Sequence, residues 1–256
     1  MKSHPLGQRF FPVFFVTVSC GIVSGFHTTQ TTLVTRTVTK ETQGRAVFYN
    51  MMIVEGLIAM IWAAAAMGVN NMGLADATTQ AVPVLNIICG DFLGPVGGVV
   101  AMLGVVVLAI TSGDTALRSA RLAIGETLHI PQRNTIQRVL LSLAISAAVM
   151  GLLIFAKSNV GGFNLLWRYF GFCNQLTAFL AFTLFTIYLK HNRKNYLTTL
   201  IPGAFYLAVI VDYIMTATIG FRLSNLAGDL AGIAAVLAYV PFMLLHNFTV
   251  RETELA

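Results

Sequence analysis

Apolar runs of about 20 residues, with few charges inside them, recur along the chain; that is the length an α-helix needs to cross a hydrocarbon core about 30 Å thick. They lie near 10–27, 46–67, 96–117, 139–156, 163–189, 197–220 and 227–248. Lipid offers no hydrogen-bonding partner to a bare peptide group, so each run is predicted to be helical. The expected fold class is all-α: a polytopic membrane protein of about seven transmembrane helices, with residues 1–256 forming a single transmembrane domain.

Composition agrees with the pattern. Of 256 residues, 56% are hydrophobic and only 10% charged, and the mean hydropathy is +0.76. A water-soluble domain of this length could not hide so much apolar surface in its core. The basic residues then give orientation, because Lys and Arg in short loops stay on the cytoplasmic side. Arg36, Lys40 and Arg45 follow the first run; Arg118, Arg121, Arg133 and Arg138 the third; Lys190, Arg193 and Lys194 the fifth; and Arg251 the seventh. Lys2, Arg9, Lys157 and Arg222 fall in the opposite set of segments. The C-terminus is therefore expected in the cytoplasm and the N-terminus outside.

The same distribution accounts for the net charge of +6, so nucleic acid is excluded as a partner. The basic loop KHNRK at 190–194 reads as a solvated segment touching anionic lipid headgroups. An external N-terminus raises the question of a secretion signal in Lys2 to Cys20, with VSC as a degenerate cleavage site. The polar continuation through Gln30 argues against it. The chain is expected instead to be the later portion of a longer protein, with an N-terminal half, separate or fused, as its partner.

Residues 68–95 break the pattern. They hold Asp76, Pro83, Asn86, Asp91 and Pro95, and ADATTQAVPVLNIICGDFLG is too short and too polar to cross. They read as a helical hairpin or interfacial helix capping an external vestibule, or as an ordinary external loop.

Polar groups inside the runs are the candidates for function, since an ionisable side chain at bilayer depth costs several kcal/mol unless paired or hydrated. Glu55, Asp114, Arg168 and Asp212 are of this kind. In ITSGDTALRSAR, Thr111, Asp114 and Thr115 share a helix face and Ser112 precedes a glycine. Such oxygens suit Na⁺, and a desolvated carboxylate can hold a proton; equally, the hydroxyls could bond their own helix while Asp114 pairs with Arg118. In SGFHTTQTTLVTR, His27 and Gln30 share a face, and Gly21 and Gly25 stand four apart, a spacing that permits close packing or an unwound helix. The threonines there could also bond the preceding turn. Arg168 with Asn174 and Gln175 could hold a carboxylate, or Arg168 could partner Glu55 or Asp212. Trp167, Tyr169, Phe170 and Phe172 suit packing and interfacial anchoring.

Other chemistry finds little support. Cys20, Cys89 and Cys173 form no CxxC pair and read as small buried hydrophobes. No P-loop or GxSxG occurs, and no spacing among His27, Glu55, Asp114 and Asp212 matches a catalytic motif. No enzyme and no cofactor is expected.

Four blocks taken together, CGIVSGFHTTQTTLVTRT, GRAVFYNMMIVEGLIAMIWAAAA, ITSGDTALRSARLAIGE and LWRYFGFCNQLTA, resemble in order the carbon starvation protein family, CstA, bacterial transporters of peptides and pyruvate. The usual family block has alanine after the histidine and serine-proline after the glutamine, where this chain has Thr28, Thr31 and Thr32, a departure that bears on substrate preference. The resemblance implies an inverted-repeat fold of the amino acid–polyamine–organocation type in the bacterial inner membrane, with alternating access and a link to carbon starvation. It implies that the first run is similar to the broken sixth helix of that architecture and that 68–95 is the external capping loop. Gly25, Phe26, His27 and Gln30, with Arg168, Asn174 and Gln175, would then meet a small peptide or pyruvate-like substrate. Thr111, Ser112, Asp114 and Thr115 would couple transport to H⁺ or Na⁺. A non-transporting subunit, or an inactive remnant of a split gene, is the alternative.

Overall fold

Three of the helices stop where the backbone turns left-handed. In the computed structural model, which describes residues 25–75, 81–131, 133–159 and 161–246, the α-helices are α1 (Gly25–Val34), α2 (Met51–Asn71), α3 (Ala81–Thr127), α4 (Thr135–Ser158), α5 (Gly162–His191), α6 (Leu197–Thr216) and α7 (Asn225–Leu245). A 3-10 turn at Glu41–Gln43 and a π-helical turn at Arg45–Asn50 lead into α2. α2 closes on Gly73 at φ 72°, with the Leu74 N–H donating to the Val69 carbonyl at 3.1 Å. α3 and α5 close in the same way on His129 and Arg193, at φ 54° and 53°. There Ile130 bonds Gly125 and Lys194 bonds Leu189, both at 2.8 Å, which satisfies carbonyls that a helix end leaves open. At the other ends, Asn134 Oδ1 accepts from the Ile136 N–H and Ser224 Oγ from the Ala227 N–H, the N-cap bonds that favour these residue types.

Six segments of the described chain are long and apolar enough to cross a membrane, and they correspond to six of the seven expected runs. Most of the first expected run lies outside the described residues; its last three positions open α1. α3 departs furthest from expectation. It runs on through Arg118 and Arg121 to Thr127, where a basic loop was expected, because TALRSARLAIGET is rich in helix formers and holds an Asp114–Arg118 pair one turn apart at 3.2 Å.

Within the 68–95 stretch, 68–71 complete α2 and 81–93 are helical, while Asp76 lies outside the described residues. The helix breaks at Gly94 (φ 66°, ψ −176°), a conformation open almost solely to glycine, and Pro95 follows. A Cβ on Gly98 would stand 2.8 Å from the Cys89 carbonyl oxygen. In a continuous helix these residues would be about 13 Å apart along the axis, so the first arm of α3 folds back on the second as a helical hairpin. A groove of about 360 Å³ between Asn86 and Val106 lies along this fold.

The described residues form two compact units, 25–28 with 165–246 and 29–164. In the first, α5 and α6 run antiparallel: Phe172 stacks on Tyr213 and Phe182 on Tyr206, with ring centroids 6.4 and 5.9 Å apart, and the Thr186 and Thr199 hydroxyls bond at 2.9 Å. α7 returns parallel to α5, with the Tyr239 hydroxyl 2.9 Å from Thr183 Oγ1. Gly228 and Gly232 let α7 press on α6 at Asp212, Thr216 and the Ala208 carbonyl. In the second unit, Val69, Ala75 and Ile88 form a small core with Trp62, Val84 and Ile87. Most of α2, α3 and α4 stays uncovered, Ile61 at 67% and Leu108 at 65% among them. In a bilayer, acyl chains or further protein would meet these faces. An ion pair of 3.8 Å joins Arg36, after α1, to Glu126 near the end of α3. Those two segments were expected on the same side of the membrane.

Candidate functional site

The first candidate residue fits only because it lacks a side chain. Gly25 is buried at the start of α1, and a Cβ there would lie 2.6 Å from the Asn174 carbonyl oxygen and 2.5 Å from Thr177 Cβ. The backbone of α1 thus rests on the turn of α5 that carries Asn174 and Gln175, joining two parts of the candidate substrate set. His27 and Gln30 lie further along α1, each half-buried; the side chain of Phe26 is outside the described set. Toward the helix end, Thr35 and Thr37 bond the carbonyls of Thr31 and Val34, both at 2.8 Å. These hydroxyls satisfy themselves on the preceding turn.

On α5, Asn174 is 7% exposed and Gln175 fully buried. Neither Oε1 nor Nε2 of Gln175 has a hydrogen-bond partner among the described residues. Arg168 sits two turns before Gln175 on the same face of the helix. It donates from Nη1 to the Thr218 hydroxyl at the end of α6 and forms no ion pair among the described residues. Trp167 and Phe170 pack together at 5.5 Å and, with Tyr169, remain exposed, as suits rings at a membrane interface.

The candidate cation residues all lie on α3. Thr111 donates to the Leu108 carbonyl and Thr115 to the Thr111 carbonyl, each at 3.0 Å. Ser112 is half-buried. Asp114 and Arg118 pair while largely exposed, a costly arrangement at bilayer depth unless water or other protein covers it. No group of three or more His, Cys, Asp or Glu side chains converges among the described residues. Glu55 is exposed on α2; Asp212 on α6 is buried against Gly228.

Two features escaped the sequence reading. Lys190 reaches across from α5 to donate to the carbonyls of Met243, Leu244 and His246 at 2.8, 2.8 and 2.9 Å, closing the end of α7. A lysine in the last turn of a membrane helix was the available signal. The second is the Gly228–Gly232 pair, whose four-residue spacing is the same one noticed at Gly21 and Gly25.

The family model for the carbon starvation protein CstA matches residues 2–84 and 69–212 of the chain. An uncharacterized protein of Haemophilus influenzae is 41% identical over 118 residues, 46% of this chain and 81% of its own length. An uncharacterized membrane protein of the same organism is 40% identical over 79 residues, 30% of this chain and 21% of its own. A relative in Campylobacter jejuni, named peptide transporter CstA, is 24% identical over 291 aligned positions, 88% of this chain and 41% of its own. The chain therefore spans less than half the length of the latter two. No solved structure matches it.

Proposed function

Because the chain belongs to the carbon starvation protein (CstA) family, we propose that it is part of a secondary active transporter that takes small peptides, or a related small carboxylate such as pyruvate, across the bacterial plasma membrane. The observation that carries this reading is the family match over residues 2–212, which takes in most of the described helices. The similarity to a Campylobacter peptide transporter over 88% of the chain favours peptides. In this reading the fold is the later portion of an inverted-repeat transporter working by alternating access in carbon starvation, with its C-terminus in the cytoplasm.

The substrate path is lined by Gly25, Phe26, His27 and Gln30 of α1 with Arg168, Asn174 and Gln175 of α5. Coupling to H⁺ or Na⁺ falls to Thr111, Ser112, Asp114 and Thr115. The chemistry of the pair on α3 suits a proton: neutralising Asp114 releases Arg118, and the charge of the pair changes by one. A second reading, that the transporter is assembled from separate chains, is supported by the short Haemophilus relative, 81% of whose length matches only 46% of this chain.

Uptake of labelled dipeptide and pyruvate into proteoliposomes, under imposed H⁺ or Na⁺ gradients, tests both readings. Uptake should require one gradient, and an Asp114→Asn protein should lose that dependence. Uptake that needs a separate N-terminal half identifies a two-chain transporter. Folded, inserted protein that takes up nothing, with or without that half, rejects transport in favour of an accessory subunit or a remnant.

A further inference from the structure

A buried amide with nothing to bond is unfavourable, and a methionine or leucine of similar size would fill the same space without that cost. Gln175 is such an amide, 0% exposed on α5, with neither its donor nor its acceptor used among the described residues. The contacts of Phe172 with Tyr213 and of Phe182 with Gly203 and Tyr206 fix the register of α5 on α6. That register sets Gln175 level with residues 210–213 of α6, where Ile210, Asp212 and Tyr213 are buried, yet Gln175 forms no hydrogen bond with any of them. Peptide groups inside α5 and α6 are spent on their own helices. The next residue, Asn174, is where the backbone of α1 closes on α5 at Gly25. Gln175 therefore lies on the turn where α1 and α5 meet.

Resting on the reading of the chain as part of a small-peptide transporter, we infer that Gln175 binds the substrate main chain, its Oε1 accepting a peptide N–H while its Nε2 donates to a carbonyl or carboxylate oxygen of the same residue. This is the exchange that one β-strand makes with a residue of the next, supplied here by a single side chain. A dipeptide has both groups beside its second α-carbon. A keto acid such as pyruvate has acceptors alone and would leave Oε1 without a donor in a buried setting, which disfavours it. Gln175 thus selects peptides over small carboxylates within the proposed transport activity.

The test uses native membrane vesicles, in which any partner segments are present. Binding of labelled dialanine, of its ester analogue alanyl-lactate (the peptide N–H replaced by oxygen) and of pyruvate is compared among the wild-type protein, Gln175→Leu and Gln175→Met. Melting temperatures of the solubilised proteins are read alongside. Wild type should prefer dialanine to the ester by about tenfold or more, and both variants should lose that preference. Their ligand-free melting temperatures should equal or exceed the wild-type value, because no bond within the protein is broken. A preference that survives in both variants overturns the proposal. So does an equal loss of dialanine and ester binding with a lowered melting temperature, the signature of a structural amide. Pyruvate bound as tightly as dialanine by wild type overturns the peptide role and leaves transport standing. No binding of any of the three by folded wild-type protein overturns transport as well.

Discussion

Replacing Gly228 with alanine tests how α7 packs on α6. The added Cβ would stand 2.3 Å from Asp212 Oδ1 and 2.5 Å from Thr216 Cγ2, about 1 Å inside ordinary contact in both cases. Neither neighbour moves freely. Asp212 is buried and engaged elsewhere, and Thr216 is a β-branched residue whose hydroxyl bonds the Asp212 carbonyl at 2.8 Å. The helices must part or a side chain must leave its rotamer, at a cost of about 1–3 kcal/mol. Better helix propensity returns at most about 1 kcal/mol. Gly232→Ala should cost less, since its Cβ would come only to 3.0 Å from the Ala208 carbonyl oxygen. Thermal melts of the solubilised protein should therefore rank wild type above Gly232→Ala and Gly232→Ala above Gly228→Ala. Adding Thr216→Ser, which removes Cγ2, should recover part of the Gly228→Ala loss. The packing described here is refuted if Gly228→Ala melts at or above the wild-type temperature, or if Thr216→Ser simply adds to the damage.

Lys190→Met leaves three carbonyls at the end of α7 without their ammonium donor; a loss of about 2 kcal/mol should appear as faster amide exchange in the last turn of α7, and unchanged exchange would show that the contact carries no energy. Gly94→Ala places a Cβ on a backbone at φ 66° and should destabilise the α3 hairpin by about 1–3 kcal/mol. A disulfide engineered between the two arms should then form more slowly, and an unchanged rate would sink the argument.

Hydropathy located the helices well and their packing poorly, and the reason is the solvent. A helix in water shows its buried face by apolar periodicity, whereas a helix in lipid is apolar on every side and that period is lost. The runs at 139–156 and 163–189 were thus readable within a few residues of α4 and α5, while the α7 face that meets α6 was marked only by Gly228 and Gly232. Charge misled once: arginines after the third run suggested a loop, yet Arg118 and Arg121 continue α3, because a helix can leave the membrane without ending. The 68–95 stretch was legible as an interruption, but the fold back of its helical arm depends on φ at Gly94, which no composition reveals.

Candidate residues follow the same logic. Thr111, Asp114 and Thr115 were grouped by spacing alone, and spacing is equally compatible with hydroxyls that bond their own helix, the arrangement found. What spacing cannot report is whether a polar group is paired, and pairing decides what it is free to do. Arg168 and Gln175 lie on one face of α5 and looked equivalent as carboxylate ligands. The first holds Thr218; the second has no hydrogen-bond partner among the described residues. In a low-dielectric interior an unused donor and acceptor cost more than any apolar replacement, so Gln175 is the position where exchanging chemistry for stability should be visible in one substitution.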